Sequence, residues 1–273
     1  MFNIIIGKRS NLTQQLLSVL DNSLVVSSGD IVKELNTIDW HLHSEVNLIL
    51  NQFQTARKLD NLDSPINYIN NAIGSTAKIL EFFKSKSVSI NKIIYTSSSS
   101  VYGNNKSCHE NDTPAPSSLY STLKLANEKL VVKFCQDMGI DYTIARVFNM
   151  YGKGDNFSII SKIITCYKDS QTLNLINNGQ SVRDFIHIDD VVNIYRRLLM
   201  VQNVPIVNVA TGLGESVLSI LSHLQENQII IKASNSVNLN EIYMSVANNS
   251  RLLSIIGEYK FINIKESTVN HIK

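Results

Sequence analysis

The chain has little of what would define several protein classes. It carries three cysteines in 273 residues, Cys108, Cys135 and Cys166, with no CxxC spacing. That pattern excludes a disulfide scaffold and reads as ordinary thiols of a reducing cytoplasm. The pair His41 and His43 has no further Cys or His pattern beside it, so no metal is expected. No apolar run reaches the ~20 residues that a bilayer span requires. The run Ile4-Ile5-Ile6 is too short for the apolar core of an export signal. Charge of one sign is also missing. The net charge is +2 with no basic stripe, so neither nucleic acid nor a membrane is an expected partner. Prolines number four, repeats and low-complexity tracts are missing, and no linker divides the chain.

What is present is an alternation of short apolar runs and helix-period stretches. Residues 2–6, 23–27, 45–50, 90–97 and 141–148 read as strands. Residues 12–20, 64–84 and 119–137 read as helices, the second with Ile69, Ala72, Ile73, Ile79, Leu80 and Phe83 near helical spacing. A βαβα order predicts an α/β fold with a doubly wound parallel sheet of Rossmann type. Residues 1–150 are the expected dinucleotide-binding core. Residues 151–273, with shorter and less regular elements, are expected to be mainly a small substrate lobe that returns some elements to the sheet, in one continuous fold. The segment between Ser28 and Glu45 leaves little room for a full strand-helix unit.

Two segments carry chemistry. "YTSSSSVYG" (95–103) ends a predicted strand, and "YSTLK" (120–124) lies on a predicted helix. Tyr120 and Lys124 are four apart and share a helix face. An ammonium beside a phenol favours the phenolate and lowers the phenol pKa from its usual value near ~10. Tyr120 is then usable as a general acid/base. A serine at the strand end can hydrogen-bond a substrate oxygen. A lone Y-x-x-x-K pair also arises by chance on helices, so the weight rests on the further segments.

The chain resembles the extended short-chain dehydrogenase/reductases, the nucleotide-sugar epimerases, dehydratases and reductases. The segments that carry this are "NNAIG" (70–74), "SSSSVYG" (97–103), "YSTLKLANEKL" (120–130), "ARVFNMYGKG" (145–154) and "NGQSVRDFIHIDDVV" (178–192), in family order. The resemblance implies Ser98, Tyr120 and Lys124 as the catalytic group, Lys124 also reaching the nicotinamide ribose. Asn71, counted with that group, stands where the family has a structural Asn near the active site; a helix-surface or helix-kink amide is the alternative. Gly7, Lys8, Arg9, Ser10 and Leu12, with Tyr120 and Lys124, are implied on the cofactor side. Ser98, Ser99, Asn149 and Arg183 are implied on the substrate side. Arg183 suits a diphosphate by its guanidinium fork, or else pairs with Asp184 or Asp189. His187, Asp189 and Asp190 read as structural, and Tyr102 either packs near the nicotinamide or fills a turn.

The implied partner is a nucleotide-diphosphate sugar, handled by a cytoplasmic homodimer. Dehydratases of the family carry an acidic pair where Ser99 and Ser100 stand here, which disfavours dehydration. A reductase of 4-keto-6-deoxyhexoses, of the kind that serves O-antigen synthesis, is the leading expectation. A 4-epimerase that retains NAD and a catalytically silent nucleotide-binding protein are the alternatives.

The cofactor loop "GKRSNLT" (7–13) keeps only the first glycine of G-x-x-G-x-x-G, with Ser10 and Thr13 at the other places. The end of the second strand has no acid to hold a ribose 2′-hydroxyl. Lys8 and Arg9 stand close by. Together these favour NADP(H), with NAD(H) possible, unless the two cations are only solvated. The loop itself implies a weakened phosphate site that Ser10→Gly would tighten.

Overall fold

Apolar runs become central strands because both their faces are covered. "FNIII" and "EVNLIL" are buried almost end to end, as expected for strands inside a parallel sheet. A computed structural model describes residues 1–51, 65–86, 88–239 and 241–273 of the chain. The first residue of the helix expected over 64–84 lies outside the described residues.

β1 (Phe2–Ile6) leads into α1 (Asn11–Leu17), β2 (Ser23–Val26), α2 (Ile31–Asn36) and β3 (Glu45–Leu50). α3 (Pro65–Ile69) passes through a π-helical turn at Asn70–Gly74 into α4 (Ser75–Ser85). Then come β4 (Ser89–Ser98), the short β5 (Ser107–Cys108), α5 (Leu119–Met138) and β6 (Asp141–Val147). β7 (Asn149–Tyr151), α6 (Ile159–Lys168), β8 (Leu173–Ile176), β9 (Val182–His187), α7 (Ile188–Leu198) and β10 (Ile206–Val209) follow. The chain finishes with β11 (Gly214–Ser216), α8 (Val217–Glu226), β12 (Ala233–Ser236), β13 (Met244–Ala247), α9 (Ser250–Ile256) and α10 (Ile264–Ile272).

Six parallel strands form the main sheet in the order β10-β6-β4-β3-β1-β2. The order reverses between β1 and β3, the switch point where open α/β sheets bind ligands. Among the described residues a single strand, β2, stands beyond β1, because the chain between β2 and β3 forms only α2 and a one-turn 3-10 helix at Trp40–Leu42. Both faces are helix-covered. α2, α4 and α5 pack on one through Leu35, Ile79, Phe83 and Val131. α1, α7 and α9 pack on the other through Leu16, Tyr195 and Leu252.

Residues after 150 divide between two places. α7, β10 and α9 complete the main sheet and its layers, whereas β8 with β12 and the β9-centred sheet build a lobe over its carboxyl edge. The register of the core is fixed by polar groups as well. Asn47 donates to Asn3 at 3.0 Å, and Asn91, the extra residue at the β3–β4 irregularity, donates to Asn47 at 2.8 Å.

Candidate active site

The site is built at the carboxyl ends of β1, β3, β4 and β6. Gly7 ends β1 with φ of 120°, which favours glycine. Its N–H donates to Val26, and its carbonyl accepts from Ser10, so the turn is tight. α1 then lies against the sheet with Leu12, Thr13 and Leu16 buried. Thr13 is fully buried in the place where a glycine would allow close helix–strand packing. Its hydroxyl is not orphaned. Asn51, directly after β3, donates through Nδ2 to Thr13 Oγ1 at 2.8 Å and to Ser10 Oγ at 2.9 Å.

Ser98 is the last residue of β4. Its hydroxyl caps the 3-10 turn Ser99–Tyr102, accepting from Ser100 N at 3.2 Å and from Ser100 Oγ at 3.0 Å. That turn closes at Gly103, whose φ of 62° and close approach to Ala115 leave no room for a side chain. α5 starts from a capping box in which Ser118 and Ser121 serve each other. Tyr120 lies in its first turn, and Lys124 one turn on. The Lys124 ammonium donates to the Thr96 carbonyl at 2.8 Å.

The expected lowering of the Tyr120 pKa by Lys124 is not what the structure shows. Burial pushes the phenol up to about 12, with a hydrogen bond from Ser98 pulling the other way. The ammonium stands 6.0 Å from the Tyr120 ring centre and is engaged with the strand carbonyl. Burial also lowers Lys124 itself to about 8, against the pull of the Glu128 carboxylate. In a desolvated cavity both neutral forms gain, and the pairwise attraction read from i, i+4 spacing is the smaller effect.

A buried ion pair supports this wall. Arg146 on β6 grips Glu128 on α5 with two bonds, at 3.0 and 2.8 Å, and Ser97 donates to the same carboxylate. Tyr102 is the turn-filling alternative: it is buried under the Arg146 guanidinium and donates to Asn208 at 2.7 Å.

Beside the same site, Asn149 donates to the Asp184 carbonyl at 2.9 Å. Arg183 donates to the Val182 carbonyl and stands 3.7 Å from Glu241, so its ion partner is neither Asp184 nor Asp189. Asp189 pairs with Lys153, His187 caps α7 through Asp189 N, and Asp190 accepts from Tyr259 and Ile262.

One cavity of about 570 Å³ joins these groups. It brings together Arg9, Ser10, Leu12, Ser98, Tyr120, Lys124, Asn149 and Arg183. Gly7, Lys8 and Ser99 are not among its lining residues, and neither is Asn71, which is exposed on the π-helical turn. Three residues of this region were not singled out from the sequence. Asn51 and Glu241 line the cavity. Glu34, on α2, accepts from Ser27 N at 2.7 Å and so places a carboxylate at the end of β2. A strand run stopped by Asn, "LILN", was the available signal for the first. The others come from segments with no motif.

The profile of the NAD dependent epimerase/dehydratase family matches residues 8–210. The chain is 32% identical over 209 residues to GDP-6-deoxy-D-talose 4-dehydrogenase of Aggregatibacter actinomycetemcomitans, covering 72% of this chain and 69% of that protein. Two further curated relatives are matched over less than half of their own lengths. Among solved structures, MoeE5 in complex with UDP-glucuronic acid and NAD has a TM-score of 0.82 at 21% identity, covering 100% of this chain and 98% of the other. RMD from Pseudomonas aeruginosa complexed with NADPH gives 0.81 at 21% identity, covering 100% and 98%. The chain belongs to the NAD dependent epimerase/dehydratase family, and it is an enzyme of that kind with the family's Rossmann-type fold. No helix among the described residues is long and apolar enough to cross a membrane.

Proposed function

We propose that the chain reduces the 4-keto group of a nucleotide-activated 6-deoxyhexose. The observation that carries this is the convergence of Ser98, Tyr120 and Lys124 in a cavity that Asn149 and Arg183 also line. Similarity to a 4-dehydrogenase of a GDP-linked 6-deoxy sugar supports the substrate class, because that reaction reversed is a 4-ketone reduction.

The residues present fit a dinucleotide. The polar pair Ser10 and Asn51 and the Lys124 ammonium line the cavity, and the Gly7 turn leads into Ser10. A bound nicotinamide cofactor would supply the hydride. The chain's own part is proton handling and placement. With its phenol at about 12, Tyr120 is protonated at neutral pH, as an acid for a developing alkoxide must be. Ser98, held by Ser100, positions the same oxygen. The Lys124 ammonium, one helical turn away, favours the phenolate left behind. Arg183 offers a guanidinium fork to the diphosphate.

Cofactor choice turns on two groups. Arg9 at the cavity suits a 2′-phosphate. Glu34 at the end of β2 suits a 2′-hydroxyl, in the position where NAD enzymes hold an acid. The carboxylate supports NAD(H), against the NADP(H) preference drawn from the sequence. It equally supports a second reading, a 4-epimerase with retained NAD. A cytoplasmic homodimer that feeds surface-polysaccharide synthesis completes the proposal and rests on the family resemblance.

The test is oxidation of NADH and NADPH across a panel of nucleotide-linked 4-keto-6-deoxyhexoses. Turnover is expected with one of them, and Tyr120→Phe should cut it at least ~100-fold with cofactor binding kept. Conversion of a nucleotide sugar without added cofactor, with no ketone reduced, would establish the epimerase instead.

A further inference from the structure

The loop after β1 breaks the glycine pattern at two places, and one side chain bonds both replacements. Ser10 and Thr13 occupy the second and third positions of G-x-x-G-x-x-G. The second glycine lets backbone approach a pyrophosphate, and the third lets the helix pack on the strand. Here Thr13 is wholly buried, and Ser10 is 9% exposed. Buried hydroxyls need partners, because burial removes the water that would otherwise bond them. Both have the same partner: the two amide hydrogens of Asn51 go one to each oxygen, at 2.9 and 2.8 Å. Asn51 is itself 3% exposed and, with Ser10, lines the cavity. As acceptors from Asn51, the hydroxyls keep their own protons to give.

We propose that Asn51 is the positioning residue of the dinucleotide loop. By holding Ser10 and Thr13 as acceptors it does the work of the two missing glycines, and it directs the Ser10 hydroxyl proton to a phosphate oxygen of the cofactor. Serine, threonine and asparagine then act as one coupled unit. This rests on the dinucleotide-dependent function proposed above. It also reverses the expectation from the loop alone: Ser10→Gly weakens binding, because it removes a donor and strands half of the Asn51 amide.

The experiment titrates NADH and NADPH by nicotinamide fluorescence into the full chain and its variants, with thermal melting in parallel. Asn51→Ala should weaken cofactor binding about tenfold or more and lower the melting temperature. Asn51→Asp keeps the size and covers the case in which the alanine variant fails to fold. It accepts from both hydroxyls, so the Ser10 proton turns away from the ligand. Its binding should fall about tenfold while the variant still melts as a folded chain. The loss should fall on cofactor Kd and KM more than on kcat. The triple variant Ser10→Gly/Thr13→Gly/Asn51→Ala restores the glycine pattern and should bind at least about tenfold better than the sum of its single changes implies. Additive losses in the triple variant, or an Asn51→Asp variant that binds as the unaltered chain does, would overturn the inference alone. Failure of the unaltered chain to bind either cofactor would overturn the proposed function as well.

Discussion

Replacing Asp184 by Asn changes a few atoms of a buried side chain and tests how the substrate lobe is held. Asp184 lies on β9 with no exposed surface. Its Oδ1 accepts from Thr211 N at 3.0 Å and Thr211 Oγ1 at 2.7 Å. Its Oδ2 accepts from Gly212 N at 2.8 Å and Ala247 N at 3.3 Å. Four donors thus fill the four lone-pair sites of one carboxylate. An amide has only one oxygen. Turned either way, its NH2 faces a backbone N–H, and the best arrangement, with NH2 towards Thr211, lets that hydroxyl accept but strands Thr211 N. One stranded N–H costs about 1–3 kcal/mol, and the bonds that remain lose their charge assistance, about 1 kcal/mol each. Burial holds the Asp184 pKa above its usual value despite these bonds, so relief of a buried charge offsets part of the loss. The net is roughly 2–4 kcal/mol, or roughly 5–15 °C in Tm for a chain of this size. Because the Asp184 carbonyl also holds Asn149 and Arg183 is its neighbour, substrate KM should rise with the loss of stability. Thermal melting with a KM measurement reads both. A Tm within ~1 °C of the unaltered protein would refute the bond count.

Glu128→Ala should destabilise by about 3–5 kcal/mol, because it leaves the buried Arg146 charge unpaired; Glu128→Leu with Arg146→Met should lose much less in the same denaturant titration. His187 is buried neutral, with Nδ1 accepting from Asp189 N at 3.2 Å, and burial holds its pKa below 6.5. Its folded pKa is depressed, so its stability share is whole above 6.5 and drains as pH falls through 6.5 towards the folded value. Melting curves against pH should show that decline, and His187→Gln should flatten it. Glu34→Gln should shift the NADPH-to-NADH affinity ratio upward by roughly tenfold, since a like charge near a 2′-phosphate is removed; an unchanged ratio would detach Glu34 from cofactor choice.

Periodicity made much of the fold legible. The strands at 2–6 and 45–50 and the helix from Leu119 appear where their apolar spacing places them, because burial on both sheet faces and on one helix face is a local demand on sequence. Ser98, Tyr120 and Lys124 were legible for a different reason, since motif spacing fixes which residues share a strand end or a helix face.

Along the chain alone one can read an α/β alternation, a candidate Ser-Tyr-Lys set and a loop with two glycines missing. What those features do to one another is set by how distant segments pack. Whether Lys124 lowers or burial raises the Tyr120 pKa depends on desolvation, which spacing cannot report. Whether the end of β2 has an acid depends on α2 folding Glu34 back to it. Whether Ser10 and Thr13 are faults or replacements depends on Asn51, 41 and 38 residues away in the chain but in hydrogen-bond contact across the switch point. Each is a contact between segments that share no local pattern, and only the packing of β1, β3 and their helices makes them neighbours.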